Sequence, residues 1–517
     1  MLVSFNLTVE KWIPVVSQDF RLQDVSLIEL FENWNTIQEI QGDNPPTTLT
    51  IHRFLLTVLH RAYQGPKDID HWEEIEQDDG KKAIAYLKDH ADYFDLLHPE
   101  RPFMQDVTIT QDAAAEIYQA HVLHGNNTST VFCHDHQWSS ASLSIPEAAR
   151  LVLRLHWFDV GGRKTGSSVS AGVIPTMDAA NVLVRGQSLK ETLLLNLMQY
   201  NPKKEIPSVV NGDDLPSWER EPAVALERIP NGYIDYLTYQ WRRVRLFFEQ
   251  DRAVNVAFHG GDRIPKNVDA SQWECGVAYN KTKKGQFTVR LNLSRSLWRD
   301  SAAFLQSSDA GERPRIISWV ADLQEEELAE DRLSLQVLGL SVDNAKPLGW
   351  SSEHFSAPML YLREKRLWQA LVSALNEVEE HQNVFRSFKG SPYHALAEVL
   401  KNGDAGALAN ALDGESRYWA VLDQAFPKLL FDLPNDHETM ADGVTYYGNR
   451  TLPEWTKTIQ QVATDAFTES IAAIRNYEAR AAALRSLNYH LAKLRGDIKP
   501  KGKKKSSKKK TETAKAS

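Results

Sequence analysis

Apolar and polar positions alternate in short bursts over residues 1–30, broken by Pro14 and by polar turns, and this spacing predicts strands. The period then lengthens. Ile51, Phe54, Leu55, Val58 and Leu59 recur at steps of three and four, which predicts a helix with a buried face. From Asp68 to Lys88 the chain is charged and keeps helical spacing, and HPERPFMQDV (98–107) carries two prolines that predict an extended turn. Residues 145–156 predict another helix, with Pro146 in the first turn and Ala148, Leu151, Val152 and Leu155 on one face. This helix feeds into FDVGGRKTG (158–166). The run VLVRGQSLKETLLLNLM (182–198) then predicts a strand, a turn at Gly186 and a helix.

Residues 202–230 are rich in Pro, Asn and Asp and predict surface loops, and a β-rich section follows over roughly 250–345. Within it, Gly285–Leu291 alternates polar and apolar after a Lys/Gly turn, as a hairpin arm does. Beyond Ser356 the character changes. Leu362, Leu367, Leu371, Val372 and Leu375 mark a helix, and Tyr393–Leu412 carries another. The longest stripe is Phe467, Ile471, Ile474, Tyr477, Ala481, Leu484, Leu487, Leu491 and Leu494. It reads as one helix of about eight turns that needs partner helices to bury it. The pattern predicts an α+β protein with a mixed α/β N-terminal domain (1–355) and a C-terminal helical bundle (356–496). No repeat of 20–50 residues is evident.

Composition narrows the class. A chain of 517 residues with 42% apolar and 25% charged residues has room for two to four domains, each with its own core. The formal charge of −9 argues against nonspecific coating of nucleic acid by the whole surface, while allowing a local basic channel. The segment 497–517 is lysine-rich and predicted to be disordered. From Lys499 on it holds nine lysines and one glutamate, so the residues before Lys499 carry about −17. It is either a solubilising appendage or an electrostatic contact for nucleic acid. The two cysteines, Cys133 and Cys275, cannot make a four-cysteine zinc site and fit a reducing compartment. No signal-like start and no long apolar run occur, so a cytoplasmic protein with no membrane span is expected.

Few residues suggest catalysis. His134-Asp135-His136 places two imidazoles on one side of a strand, but a zinc site needs a third ligand, which His124 or His156 could supply only through tertiary proximity. A metal-dependent hydrolase built on His134 and His136 is therefore the alternative reading. In GGRKTG, Arg163 stands where a phosphate-binding loop needs glycine before its lysine, and the serine-hydrolase pattern GxSxG is absent. No catalytic residue, metal or cofactor is assigned. The polar loops point instead to nucleic acid. Gly161 and Gly162 expose backbone N–H groups beside Arg163 and Lys164. YNKTKKGQF sets Lys281, Lys283 and Lys284 at a hairpin tip, and GLSVDNAKPLG (339–349) presents Asn344 and Lys346 in a tight turn.

In order along the chain stand Trp12-Ile13-Pro14-Val15, HPERPFMQ (98–105), TVFCHDH (130–136), the glycine loop, the 182–198 run, the Phe287–Trp298 strand ending in SLW, and the helical C-terminal part. In this ordered set the chain resembles the large subunit of the type I-E CRISPR surveillance complex, the Cse/CasA family of Cascade, over nearly its whole length except the lysine tail. The resemblance implies a C-terminal four-helix bundle. It also implies a non-enzymatic subunit that recognises the protospacer-adjacent motif in double-stranded target DNA, starts strand separation and R-loop formation, and helps recruit the helicase–nuclease. The implied neighbours are the CRISPR RNA and the backbone, small and 5′-end-binding subunits. Motif reading, largely from the minor groove, falls on Gly161 and Gly162, on Lys283 or Lys284, and on the turn Asn344, Ala345 and Lys346. Arg163 and Lys164 serve as backbone anchors, and Phe132, Cys133 and His134 seat the subunit near the guide's 5′ end. This sequence departs from the family pattern in three places: no glutamine in the 339–349 turn, no cysteine cluster before the lysine hairpin, and a first loop glycine replaced near Phe158. A structural zinc is accordingly not expected.

Overall fold

One helix, Pro45–Tyr63, organises the N-terminal part of the chain and is buried on nearly every side. Its apolar face is the one predicted, but its polar residues are buried too, because each finds a partner inside the fold. Thr50 and Thr57 hydroxyls donate to the carbonyls of Thr47 and Arg53, and His52 Nδ1 lies 2.8 Å from Thr48 O. The Arg53 guanidinium pairs with Glu274 at 3.0 Å and stacks 3.8 Å over the Trp157 ring. Asn44 caps the helix start by accepting from Thr47 N, with Pro45 and Pro46 in the first turn. Phe54 meets Phe103 and Trp218 edge-on, with centroids 5.6 and 5.4 Å away.

The computed structural model describes residues 4–123, 141–163, 165, 170–201, 213–220, 227–283, 285–309, 311–401 and 403–498. The chain divides into two units, Met1–Lys365 and Arg366–Ser517. The first is mixed α+β. Ile13–Ser17 lies antiparallel between Leu22–Val25 and Ile37–Ile40, and Arg242–Glu249 pairs with Arg252–Gly260. The longest ladder is a hairpin of Arg332–Asp343 with Lys346–Pro358, extended on one edge by the buried strand Asn181–Val184. A smaller sheet sets Tyr279–Thr282 between Gly285–Thr288 and Gly311–Glu312.

Three expectations for this unit change. Residues 1–30 are not all strand, since Leu27–Asn33 is a helix started by a capping box in which Ser26 and Glu29 satisfy each other's backbone N–H. The β-rich stretch contains the helix Arg315–Glu325, whose apolar positions recur at helical steps. Its last strand runs on to Pro358. The charged run from Asp68 splits into Ile69–Asp78 and Lys81–Asp89, with Asp79 and Gly80 at positive φ between them.

The second unit is helical: Lys365–Gln382 leads into Pro392–Leu400, Ala405–Leu412, Gly414–Asp432, Thr451–Ser470 and Tyr477–Leu494, with a short hairpin of His437–Thr439 and Thr445–Tyr447. Pro392–Leu400 packs on Tyr477–Leu494, and Gly414–Asp432 packs on Thr451–Ser470. Tyr418 Oη donates to Val378 O at 2.9 Å and Trp455 Nε1 to Ala374 O at 3.3 Å, so both helices of the latter pair are tied to the first helix. Tyr393–Leu412 is two helices, not one. The eight-turn stripe also breaks: one helix ends at Ser470, and Asn476 caps the next by accepting from Ala479 N at 3.0 Å. Leu487 and Leu491 keep the buried register, whereas Tyr477 at the new start is 80% exposed.

Candidate nucleic-acid interface

The helix Ile145–Trp157 begins at Ser144, whose hydroxyl and backbone N–H form a capping box with Glu147. It ends by delivering the chain to Phe158, the start of the glycine strap. Two buried arginines hold that strap. Arg154 Nη1 donates to Phe158 O at 2.9 Å, and its Nη2 donates to Ala120 O. Burial pushes this guanidinium down to about 10. Arg242, which has no solvent exposure, donates through Nε to Asp159 Oδ2 at 2.5 Å, through Nη2 to Asp159 O at 2.6 Å and Val160 O at 3.3 Å, and through Nη1 to Trp241 O at 2.8 Å. The backbone just before the glycines is thus clamped from inside.

Beyond the clamp, Gly162 pairs with Ala171 and Arg163 with Ser170 in a short antiparallel ribbon. Gly162 sits at φ +123°, a conformation that disfavours any side chain. At Gly161 the constraint is space, because a Cβ would lie 3.2 Å from Val173 Cγ2 and 3.3 Å from Ala171 O. Thr165 Oγ1 accepts from Phe258 N at 2.9 Å, which fastens the strap to the Arg252–Gly260 strand. Lys164 lies outside the described residues.

The lysine hairpin turns through two residues between Thr282 and Gly285, which pair in register. Lys283 is exposed at this turn; Lys284 lies outside the described residues. Lys281, on the arm, is paired with Glu312 at 2.5 Å. The long hairpin turns through Asn344 and Ala345, both left-handed at φ +48° and +63°, and Asn344, Ala345 and Lys346 are all exposed. Asn344 Nδ2 donates to Asp343 Oδ1 at 2.9 Å.

A cleft of about 1000 Å³ joins two of these loops. Gly172 and Val173, which pack against Gly161, line it, and so do Gly285 to Thr288 of the lysine hairpin. Arg263, Lys266 and Arg290 supply cations to the lining, opposed by Asp178, Glu227 and Asp269. Arg290 pairs with Asp178 at 3.1 Å and remains 72% exposed. The same stretch connects to the third loop, where a Cβ on Gly349 would fall 2.8 Å from Leu293 Cδ1. Leu293 and Leu348 are about half exposed beside the Asn344–Lys346 turn. The sequence reading missed the clamp arginines and these leucines. In RRVRLFFE an inward-facing arginine looks like any strand charge, and only the register of the ladder separates Arg242 from Arg243.

Phe132, Cys133, His134 and His136 lie outside the described residues, as does His124. His156 is buried, with Nε2 3.0 Å from Met104 O. Cys275 is a buried thiol whose pKa burial raises. Among the described residues no three His, Cys, Asp or Glu side chains gather as a metal site, and no helix is long and apolar enough to cross a membrane.

Comparison with known proteins places the chain. The family model for the CRISPR-associated protein Cse1 matches residues 6–466. The CRISPR-associated protein CasA/Cse1 of Thermus thermophilus is 33% identical over 463 residues, which is 83% of this chain and 87% of that protein. The solved structure of Thermus thermophilus CasA (Cse1) superposes with a TM-score of 0.76 over 96% of this chain and all of that one, at 26% identity. The Thermobifida fusca Cse1 structure gives 0.78 at 25% identity, covering 96% and 98% of the two chains. A chain of a CRISPR RNA-guided surveillance complex shares the fold, with a TM-score of 0.75 at 21% identity over 95% of this chain and 99% of that one. With a family model spanning most of its length and a relative at one-third identity, the chain belongs to the CRISPR-associated Cse1 (CasA) family.

Proposed function

We propose that this chain is the large, non-enzymatic subunit of a type I-E CRISPR RNA-guided surveillance complex (Cascade), and that its first unit grips the duplex carrying the protospacer-adjacent motif. The observation that carries this reading is the shared cleft: Gly172 and Val173, which back the glycine strap, form one part of its lining and Gly285 to Thr288 of the lysine hairpin form another. A minor groove presents mostly acceptors, so backbone N–H groups of a glycine strap and the ammonium of Lys283 or Lys284 suit it and discriminate loosely. Arg163 and Lys164 act on phosphates. The Asn344, Ala345, Lys346 turn is the wedge. Leu348 beside it supplies the apolar surface that an unstacked base step needs, at a cost of a few kcal/mol that later contacts offset. Guide pairing then carries most of the sequence specificity.

In this reading Phe132, Cys133 and His134 seat the subunit at the guide's 5′ end. The four long helices of the second unit, 18 to 20 residues each, form a four-helix bundle that docks on neighbouring subunits. The separated strands are passed to the helicase–nuclease. The test is selection of duplexes from a randomised motif library by the reconstituted guide complex, with and without this chain. Enrichment of a short motif only when the chain is present is the expected result. The same enrichment without it would overturn the assignment. So would a Gly161→Val/Gly162→Val variant that assembles and still selects the motif.

A further inference from the structure

In the lining of the cleft, Arg263, Lys266 and Arg290 are matched by Asp178, Glu227 and Asp269, three against three, so charge alone does not say what the cleft holds. The apolar lining says more: Val173, Pro175, Ile264, Val268 and Phe287. Two of these stand well out to solvent, Val173 by 70% and Phe287 by 50%, and apolar side chains gathered in one concavity mark a binding surface. Phe287 shares its strand parity with Val289 and Leu291, which are buried, so alternation alone would bury its ring too. The arm Gly285–Thr288 is instead the outer strand of its sheet, with Phe287 opposite the exposed Asn280, and the ring is left to the cleft. Val173 is set by the glycine strap, since a Cβ on Gly161 would meet its Cγ2 at 3.2 Å. Gly172 before it lies against the Arg263 stem, where a Cβ would fall 3.1 Å from Cδ.

We propose that Val173 and Phe287 make the cleft selective for deoxyribose, by lying against the sugar C–H surface that walls a DNA minor groove. This rests on the duplex reading of the cleft and names the sugar that the cleft takes. The occupant follows from continuity. Val173 adjoins the strap whose N–H groups suit minor-groove acceptors, Phe287 lies on the lysine hairpin, and Arg263 and Lys266 in the same lining suit the flanking phosphates. A DNA minor groove offers apolar sugar edges beside its acceptors, whereas an RNA strand displays 2′-hydroxyls there. Neither a valine methyl nor a phenyl ring hydrogen-bonds such a hydroxyl. Pressing one against them strips its water and gives no partner in return. An apolar protein segment would use the same two side chains but would bring no dependence on the sugar.

The test compares the parent chain with Val173→Thr/Phe287→Tyr, which keeps the shapes and adds two hydroxyls, and with Phe287→Ala. Both side chains are exposed, so the substitutions leave the core intact. Each chain is reconstituted into the guide complex and titrated with a motif-bearing DNA duplex. The same duplex carrying ribonucleotides at the motif positions of one strand, then of the other, is titrated alongside. The parent is expected to bind the all-DNA duplex about tenfold more tightly than the weaker of the two substituted duplexes. The hydroxyl variant is expected to cut that ratio to about threefold or less, because its new groups can pair with a 2′-hydroxyl. Phe287→Ala is expected to weaken all-DNA binding about fivefold through lost apolar contact. A parent ratio below about twofold would overturn the proposal and leave the duplex reading standing. So would a tenfold parent ratio that the hydroxyl variant keeps in full. Loss of assembly in either variant, with the ratio kept, would assign the two side chains to a protein neighbour and overturn the proposal as well. Failure of the parent complex to bind the all-DNA duplex would overturn both readings together.

Discussion

The guanidinium of Arg242 meets four acceptors in a site without solvent, and this decides what a substitution there does. A lysine carries the charge but lacks the planar fork that reaches the Asp159 carboxylate and three carbonyls together. Arg242→Met leaves the Asp159 carboxylate buried without its partner, which costs about 3–5 kcal/mol. Arg242→Lys is expected to be milder in stability yet to loosen the strap, so that duplex binding by the guide complex weakens several-fold while assembly of the complex is kept. Melting temperature and duplex affinity, measured on both variants, check this. Loss of stability without loss of duplex binding in Arg242→Lys would remove the clamp from the recognition account. The glycines of the strap stood out in the sequence because paired glycines beside two cations are uncommon in an acidic chain. The clamp did not, because Arg242 and Arg243 differ only in which side of the strand they face.

At the scale of elements, most of what the hydrophobic pattern predicted is present, and the departures have local causes. The Pro45–Tyr63 and Ile145–Trp157 helices, the Asn181–Val184 strand followed by Leu189–Leu195, and the 279–288 hairpin follow directly from periodicity and turn residues. The stripe from Phe467 to Leu494 misled because leucine and alanine spacing carries across a break of a few residues, and the break itself is signalled by a single capping asparagine. Asn476→Ala is therefore expected to cost about 1 kcal/mol, confined to the last helix. Hydrogen exchange of the amides at 478–480 reads it, with faster exchange expected there and little change in Thr451–Ser470. The long hairpin was legible only at its turn. Ser351 to Pro358 reads as polar, and it becomes strand because Arg332–Asp343 offers it a full ladder. The cleft itself was not legible at all, since Gly172–Val173 and Gly285–Thr288 come together only through the tertiary path of the chain.

At the scale of the whole molecule, burial of uncharged polar groups makes stability depend on pH. His52, His60 and His156 are buried, and desolvation lowers each from an ordinary 6.5 to about 4. The folded state keeps them neutral while the unfolded chain binds protons below about pH 6.5. Their contribution is thus fully present above pH 6.5 and is lost as pH falls through 4. At pH 5 the loss is on the order of 2 kcal/mol for each. The melting temperature is expected to fall between pH 7 and pH 5, and replacing His60 by Gln to reduce the slope in that interval. An unchanged slope would mean that His60 titrates normally in the folded chain.

The central claim is that the cleft holds duplex DNA through the lysine hairpin. Equilibrium binding of a motif-bearing duplex by the reconstituted guide complex, carried through a salt series with the parent chain and with Lys283→Ala/Lys284→Ala, tests it most directly. The account predicts weaker binding by the variant and a salt dependence shallower by about one or two counterions, with guide assembly intact. Equal affinity and an equal slope at physiological salt would contradict it.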